Sequence, residues 1–242
     1  MNSQSQPAAA TLPTPLENVA CRVAPPAADY RKWLLPPLVL LLLAAVAVAV
    51  DVPLARWASG RNYPRVVREL MSLAEAFGHG VGVTVVLLIV YTLDPARRSA
   101  LPRAIAAILA AGCGANLVKL FISRSRPGST DLAHLTGWQT FSNWFPLGGN
   151  GSGWQSFPSA HTATAVSLAL VLSWLYPQGR RLFVGAAAAV AAQRVLGGAH
   201  FLSDVLAGAA VGWWCGYAVL RSGALCGRRG GKSALDIFFV AR

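Results

Sequence analysis

Acidic side chains are scarce: nine Asp and Glu stand against 21 Lys and Arg, for a formal net charge of +12. Charged residues of both signs fill only 12% of the 242 positions, and the mean hydropathy is +0.49. A chain this poor in charge cannot cover a water-soluble domain of its length, which excludes an ordinary soluble fold. The basic excess does not indicate nucleic acid, because the basic residues sit at the ends of apolar runs and form no stripe interleaved with aromatics. Cysteine is sparse as well. Cys21, Cys113, Cys215 and Cys226 show neither CxxC nor metal-ligand spacing, so no disulfide framework or zinc site is indicated.

What the chain has is hydrophobic length. Apolar runs cover residues 34–50, 78–93, 104–122, 162–176, 182–196 and 205–220. Several fall short of the roughly 20 residues of a spanning helix, so the loop charges carry the topology. With a cytoplasmic N-terminus, one inner loop holds Arg97, Arg98 and Arg103 and the next holds Arg180 and Arg181. The C-terminal tail adds Arg221, Arg228, Arg229, Lys232 and Arg242, which together satisfy the positive-inside rule. The expected fold is all-α, a bundle of six transmembrane helices. Between the first and second spans, residues 52–77 place Val66, Val67, Leu70, Met71, Ala74 and Phe77 opposite Arg65, Arg68, Glu69 and Glu75. That pattern fits a helix lying in the membrane interface, and equally a plain soluble connector.

The domain organisation follows. Residues 1–32, rich in Ala, Pro, Ser and Gln, read as a disordered cytoplasmic tail; residues 33–224 form the membrane domain; residues 225–242 form a basic cytoplasmic tail. A cleavable signal peptide also ends in small residues as 34–50 does, but the polar stretch before it is long for one, which favours a retained first helix.

Three polar clusters fall on the non-cytoplasmic side. The first, Lys119 to Pro127 (KLFISRSRP), closes the third helix, with Lys119 and Arg126 two helical turns apart. The second, Phe157 to His161 (FPSAH), opens the fourth helix: Pro158 and Ser159 suit a helix start, where free N–H groups bind anions. The third, Arg194 to Asp204 (RVLGGAHFLSD), ends the fifth and enters the sixth. On a helix, His200 and Asp204 share one face, so the carboxylate can take a proton from one imidazole nitrogen and leave the other as a nucleophile. Taken singly, His200 reads as a satisfied core histidine and Arg194 as a snorkelling boundary residue. Together the clusters supply Lys, two Arg, a helix-start Ser, two His and an Asp, which is the inventory of a phosphate-sized pocket with its own acid, base and nucleophile. Arg124 is expected to be an outward-facing helix-end charge, and His79 and His134 have no partner motif.

Lys119-x6-Arg126-Pro127, Pro158-Ser159-Ala160-His161 and Arg194-x5-His200-x3-Asp204 resemble the three-part signature of the type 2 phosphatidic acid phosphatases, which share an active site with vanadium haloperoxidases. The resemblance implies that His200, oriented by Asp204, forms a phosphohistidine, and that His161 protonates the leaving oxygen and then activates water. It implies that Lys119, Arg126, Arg194, Ser159 and the N–H of Ala160 hold the phosphoryl oxygens, without a metal or other cofactor. Two positions depart from the family pattern: Ala160 stands for the usual Gly and Gln193 for the usual Ser. Ala160 keeps its N–H but suits the contact only in an ordinary helical conformation.

The implied function is a lipid phosphate phosphohydrolase of the bacterial cytoplasmic membrane, its site facing the periplasm or exterior and its substrate chains entering between helices. Undecaprenyl diphosphate, phosphatidate, phosphatidylglycerol phosphate and lipid A phosphates all fit. A lipid phosphotransferase, a vanadate-dependent haloperoxidase and a non-catalytic lipid-binding protein are the alternatives. The partners are the lipid phosphate and the bilayer, with no nucleic acid. The Trp-rich loop between Arg126 and Phe157, with Trp138, Trp144 and Trp154 suited to the headgroup level, reads either as a lip over the pocket or as a flexible surface loop.

Overall fold

The structure, a computed structural model, describes residues 30–60, 63–145, 147 and 151–222. The expected tail 225–242 and nearly all of the tail 1–32 lie outside them, as do Cys21 and Cys226. Seven α-helices carry the described chain: α1 (Tyr30–Ser59), α2 (Arg65–Ala76), α3 (Gly80–Leu93), α4 (Leu101–Lys119), α5 (Ala160–Leu175), α6 (Arg180–Leu196) and α7 (Leu202–Arg221).

Helices α4, α6 and α7 pack around α5, most of whose residues are buried, as expected of a helix enclosed by others. Ala163, Ala165, Leu168 and Val171 of α5 are all fully buried. Helix α7 approaches it through Gly208, Gly212 and Gly216, spaced one turn apart. A Cβ at Gly208 would stand 2.4 Å from the Ser159 carbonyl oxygen, and one at Gly212 would stand 2.3 Å from that of Ala163. The missing side chains therefore set the α5–α7 distance. Helices α1 and α4 pack on the other sides of α7, and α6 packs on α5.

The outer surface is apolar where a soluble protein would be charged. Leu42 and Val46 of α1, Leu88 of α3, Leu109 of α4 and Leu182 of α6 are among the exposed large side chains. By length and composition, Trp33–Ser59 and Pro95–Lys119 can each cross a bilayer, and the bent pair α2–α3, kinked by 63°, adds a third candidate span. Helix α5 is apolar but shorter.

Three sequence expectations change. Residues 52–59 continue α1, whose apolar face Val52 and Ala55 packs on Leu132 and Phe201, so the amphipathic helix begins only at Arg65. It buries none of its residues fully. The fold is not purely helical either: β1 (Ile122–Arg124) pairs antiparallel with β2 (Phe141–Trp144) from the Trp-rich loop. This pairing takes 122–124 out of the third helix, which ends at Lys119. The loop is thereby held at its middle, while Trp138 and Trp144 stay 66% exposed.

At the opposite end, the two loops between helix pairs are clamped together. Asp94 pairs with Arg97 and accepts a hydrogen bond from the Tyr176 hydroxyl at 3.1 Å, while Arg97 donates to the Leu175 carbonyl at 2.8 Å.

Candidate active site

The three polar clusters are stitched together by backbone hydrogen bonds. Gly128 N–H donates to Gly198 O at 2.9 Å, joining the first cluster to the turn after α6. Ser159 N–H donates to Asp204 O at 3.0 Å, joining the second cluster to the third, and Ser156 N–H donates to Arg124 O at 3.1 Å. Gly198, at φ +67°, gives that turn a left-handed residue available to glycine without strain. The carbonyl of Arg194 then accepts from both Ala199 and His200 N–H, at 3.1 Å each.

His200 therefore lies in the turn and not on the helix of Asp204, because α7 starts at Leu202. The reason is the Asp204 carboxylate itself: Oδ2 accepts from the N–H of Phe201 at 2.8 Å and so caps the helix start. The same oxygen accepts from Ser156 Oγ at 2.6 Å and lies 3.7 Å from His200 Nδ1. Nδ1–H has a nearer acceptor, the Ser156 carbonyl oxygen at 2.7 Å. With Nδ1 carrying the proton, Nε2 keeps its lone pair. Asp204 is thus an electrostatic neighbour of the imidazole, and Ser156, which the sequence did not single out, is its hydrogen-bond partner. Burial pushes the His200 pKa below its ordinary value; the nearby Asp204 carboxylate opposes this, and the charges of Lys119 and Arg126 add to it.

Lys119 and Arg126 are brought toward the same imidazole, although not as two turns of one helix: Lys119 ends α4 and Arg126 follows β1. Arg126 Nε is buried with no hydrogen-bond partner, an unsatisfied donor of the kind an anion would complete. Ser159 caps α5, its Oγ accepting from the Thr162 hydroxyl at 3.0 Å and from the Thr162 N–H at 3.4 Å, which leaves its own proton to donate. Ala160 is the first residue of α5, the ordinary helical conformation its Cβ requires.

His161 and Arg194 meet a residue that sequence reasoning left on the polar side of the amphipathic helix. Glu75 Oε2 lies 2.7 Å from Arg194 Nη2, and its Oε1 lies 3.6 Å from His161 Nε2. Gln193 completes the group, donating from Nε2 to Glu75 Oε2 at 3.2 Å and accepting from Arg194 Nε at 2.6 Å. The long amide thus serves α2 rather than the place of a small hydroxyl. The His79 ring lies beside it, its centroid 5.8 Å from that of His161.

Arg124 is the largest correction. It is 0% exposed, paired with the carboxylates of Asp204 and Asp51. The signal was present in the sequence: Asp51 is an acid inside an apolar run, and Arg124 stands two residues before Arg126.

An open apolar groove of about 720 Å³ runs between α3 and α4, lined by Val83, Leu87, Ile105 and Leu109. Its lining includes Asn116 and Thr164, which stand three residues along the chain from Lys119 and His161.

A family model described as the PAP2 superfamily matches residues 100–227. Two proteins named lipid A 1-phosphatase, from Rhizobium johnstonii and Rhizobium etli, are 36% and 35% identical over 120 residues. The alignments take in 50% of this chain and 46% and 49% of the relatives, so the chain spans about half the length of the curated relatives it matches. Among solved structures, the Aquifex aeolicus LpxE crystal structure matches 72% of this chain and 96% of its own, with a TM-score of 0.54 and 25% identity. A transmembrane PAP2-type phosphatidylglycerolphosphate phosphatase from Bacillus subtilis shares the fold at a TM-score of 0.50 and 19% identity, covering 83% of this chain and 100% of its own.

Proposed function

The chain belongs to the PAP2 superfamily, and on that premise we propose that it is a lipid phosphate phosphohydrolase working through a phosphohistidine at His200. The observation that carries the proposal is the His200 imidazole, its Nδ1–H fixed on the Ser156 carbonyl at 2.7 Å, with the cations Lys119 and Arg126 acting on the same ring. In the first step Nε2 attacks phosphorus, the N–P bond forms and the ester P–O bond breaks. His161 gives its proton to the leaving oxygen. In the second step water attacks phosphorus, its proton passes to His161, and the N–P bond breaks. Lys119, Arg126, Arg194, the Ser159 hydroxyl and the Ala160 N–H hold the three phosphoryl oxygens as charge shifts onto them.

The groove between α3 and α4 supports a substrate whose apolar chain leaves the phosphate and runs along the lipid-facing side of the bundle. The names of the Rhizobium relatives make the 1-phosphate of lipid A the first substrate to test. In this reading the bundle crosses a bacterial cytoplasmic membrane six times, with the short helices completed by their flanking turns and the site on the non-cytoplasmic face.

The test is phosphate release by the full chain in detergent from lipid A, phosphatidate, phosphatidylglycerol phosphate and undecaprenyl diphosphate, for wild type beside His200→Ala. Release from at least one lipid by wild type, with acid-labile phosphate trapped on the protein and both lost in His200→Ala, is the expected result. No release by folded wild type on any lipid overturns the hydrolase. Transfer of the phosphoryl group to an added lipid acceptor in its place would identify a phosphotransferase.

A further inference from the structure

Asp51 lies outside all three motifs and Arg124 fills one of the unspecified positions of the first, and they are 1% and 0% exposed. Asp51 sits in α1, where a carboxylate within an apolar run is costly unless its charge is met. Arg124 meets it. Its Nη2 donates to Asp51 Oδ2 at 2.7 Å, its Nη1 to Asp204 Oδ1 and to Ser203 Oγ, the latter at 2.6 Å, and its Nε to Thr140 Oγ1 at 2.9 Å. Asp51 is held in turn by Ser203, whose N–H donates to Oδ1 at 3.0 Å and whose hydroxyl donates to Oδ2. The rings of Phe141 and Phe201 lie 4.3 and 4.2 Å from the guanidinium carbon, so water is kept from the group.

One buried cation thus stands between two buried carboxylates, and the three groups together carry one negative charge in excess. If Asp51 were neutral, Arg124 would cancel Asp204. We propose that Asp51 is a positioning residue for the reaction: by sharing Arg124, it preserves the negative charge of Asp204 that faces His200. The proposal rests on the reading of His200 as nucleophile. When Nε2 bonds to phosphorus the ring becomes cationic, and a fixed negative charge nearby in a low-dielectric setting stabilises that state without reorganising.

Other groups also face the ring. Lys119 of α4 and Arg126 after β1 oppose a positive imidazole, His161 of α5 is electrostatically coupled to it, and the Glu75–Arg194 pair of α2 and α6 lies beyond His161. Against those cations the excess charge of the Asp51–Arg124–Asp204 group is the counterweight.

The charges can be removed one at a time. The full chain in detergent is assayed for kcat and KM across pH as wild type, Asp51→Asn, Arg124→Gln and the double variant, with melting curves and with His200→Ala as control. The excess charge of the group is −1 in wild type and becomes 0, −2 and −1 in the three variants. The acid limb of kcat/KM, set by protonation of the nucleophile, is expected to move down by about one pH unit in Asp51→Asn, up by about as much in Arg124→Gln, and back to the wild-type position in the double variant. In Asp51→Asn kcat falls about tenfold or more with KM nearly unchanged. Where one single variant does not fold, the other must still be displaced from the double variant in its stated direction. Where neither folds, the double variant alone must keep the wild-type limb. Limbs that coincide in the folded single variants, with kcat tracking only the folded fraction, or a displaced limb in the double variant, overturn the proposal. Full activity in His200→Ala would overturn the nucleophile reading, whatever the other variants do.

Discussion

The carboxylate of Glu75 stands 2.7 Å from the guanidinium of Arg194 and 3.6 Å from the imidazole of His161, so the amphipathic helix α2 has an anion against two residues assigned to the substrate. A phosphoryl oxygen bound by Arg194 must compete with it. The Glu75 and His161 side chains are about one-third exposed, which limits the attraction to the order of 1 kcal/mol. In Glu75→Gln the inhibition constant for inorganic phosphate is expected to fall about threefold to tenfold. An unchanged or higher constant in competitive inhibition assays would mean that Glu75 supports the anion site instead of rivalling the anion.

Ser156 holds His200 through its backbone and Asp204 through its side chain. Ser156→Ala keeps the carbonyl that orients Nδ1–H but removes the 2.6 Å hydrogen bond to Asp204. A hydrogen bond to a charged group is worth about 1.5–3 kcal/mol, so kcat is expected to fall about tenfold or more while KM moves little. Steady-state kinetics with wild-type values would show that the hydroxyl is dispensable.

Gly208 has no room for a side chain, since a Cβ would lie 2.4 Å from the Ser159 carbonyl oxygen. Gly208→Ala must separate α7 from the start of α5, straining the bond between Ser159 N–H and Asp204 O. Overpacking of this kind costs about 1–3 kcal/mol. The melting temperature in detergent should drop and activity should fall with it; a variant matching wild type in both would contradict the packing described.

The loop clamp at the far end carries a pH dependence. Burial pushes the Asp94 carboxyl up, but hydrogen bonds from Arg97 and Tyr176 and the Arg97 charge outweigh it and hold the pKa below the ordinary value. A lowered folded pKa means that the stabilisation is fully present above the unfolded value of about 4 and is lost as pH falls through the folded one. Asp94→Asn should therefore lower the melting temperature at pH 7 and have a smaller effect below about pH 4. An equal effect at both would remove the ion pair from the account.

The groove between α3 and α4 predicts a dependence on chain length. Ile105→Trp places a large ring in it, and should reduce kcat/KM for long-chain lipid phosphates about tenfold while sparing a short-chain phosphate ester. Equal losses on both would place the apolar chain elsewhere.

The pattern of apolar runs and the three polar clusters were legible in the chain because burial of charge is costly: Lys119, Arg126, His161, Arg194, His200 and Asp204 stand out against their surroundings. The local geometry around them was less so. Helical spacing placed His200 with Asp204, and Lys119 with Arg126, on continuous helices. In the first case Asp204 caps α7 after His200; in the second, β2 draws residues 122–124 into a strand. The strand turns on a partner distant in sequence, and the cap is a side-chain contact to the backbone three residues back that helical spacing does not show.

The sequence by itself determined the helical, lipid-facing character of the chain and the inventory of its candidate site, since composition and spacing are local properties that survive any packing. Only the tertiary structure decided who partners whom. Asp51 meets Arg124 across 73 positions and Arg124 meets Asp204 across 80, and Glu75 reaches Arg194 from another helix. Periodicity describes one element's faces, but the charge balance inside a bundle is set by which faces are brought together.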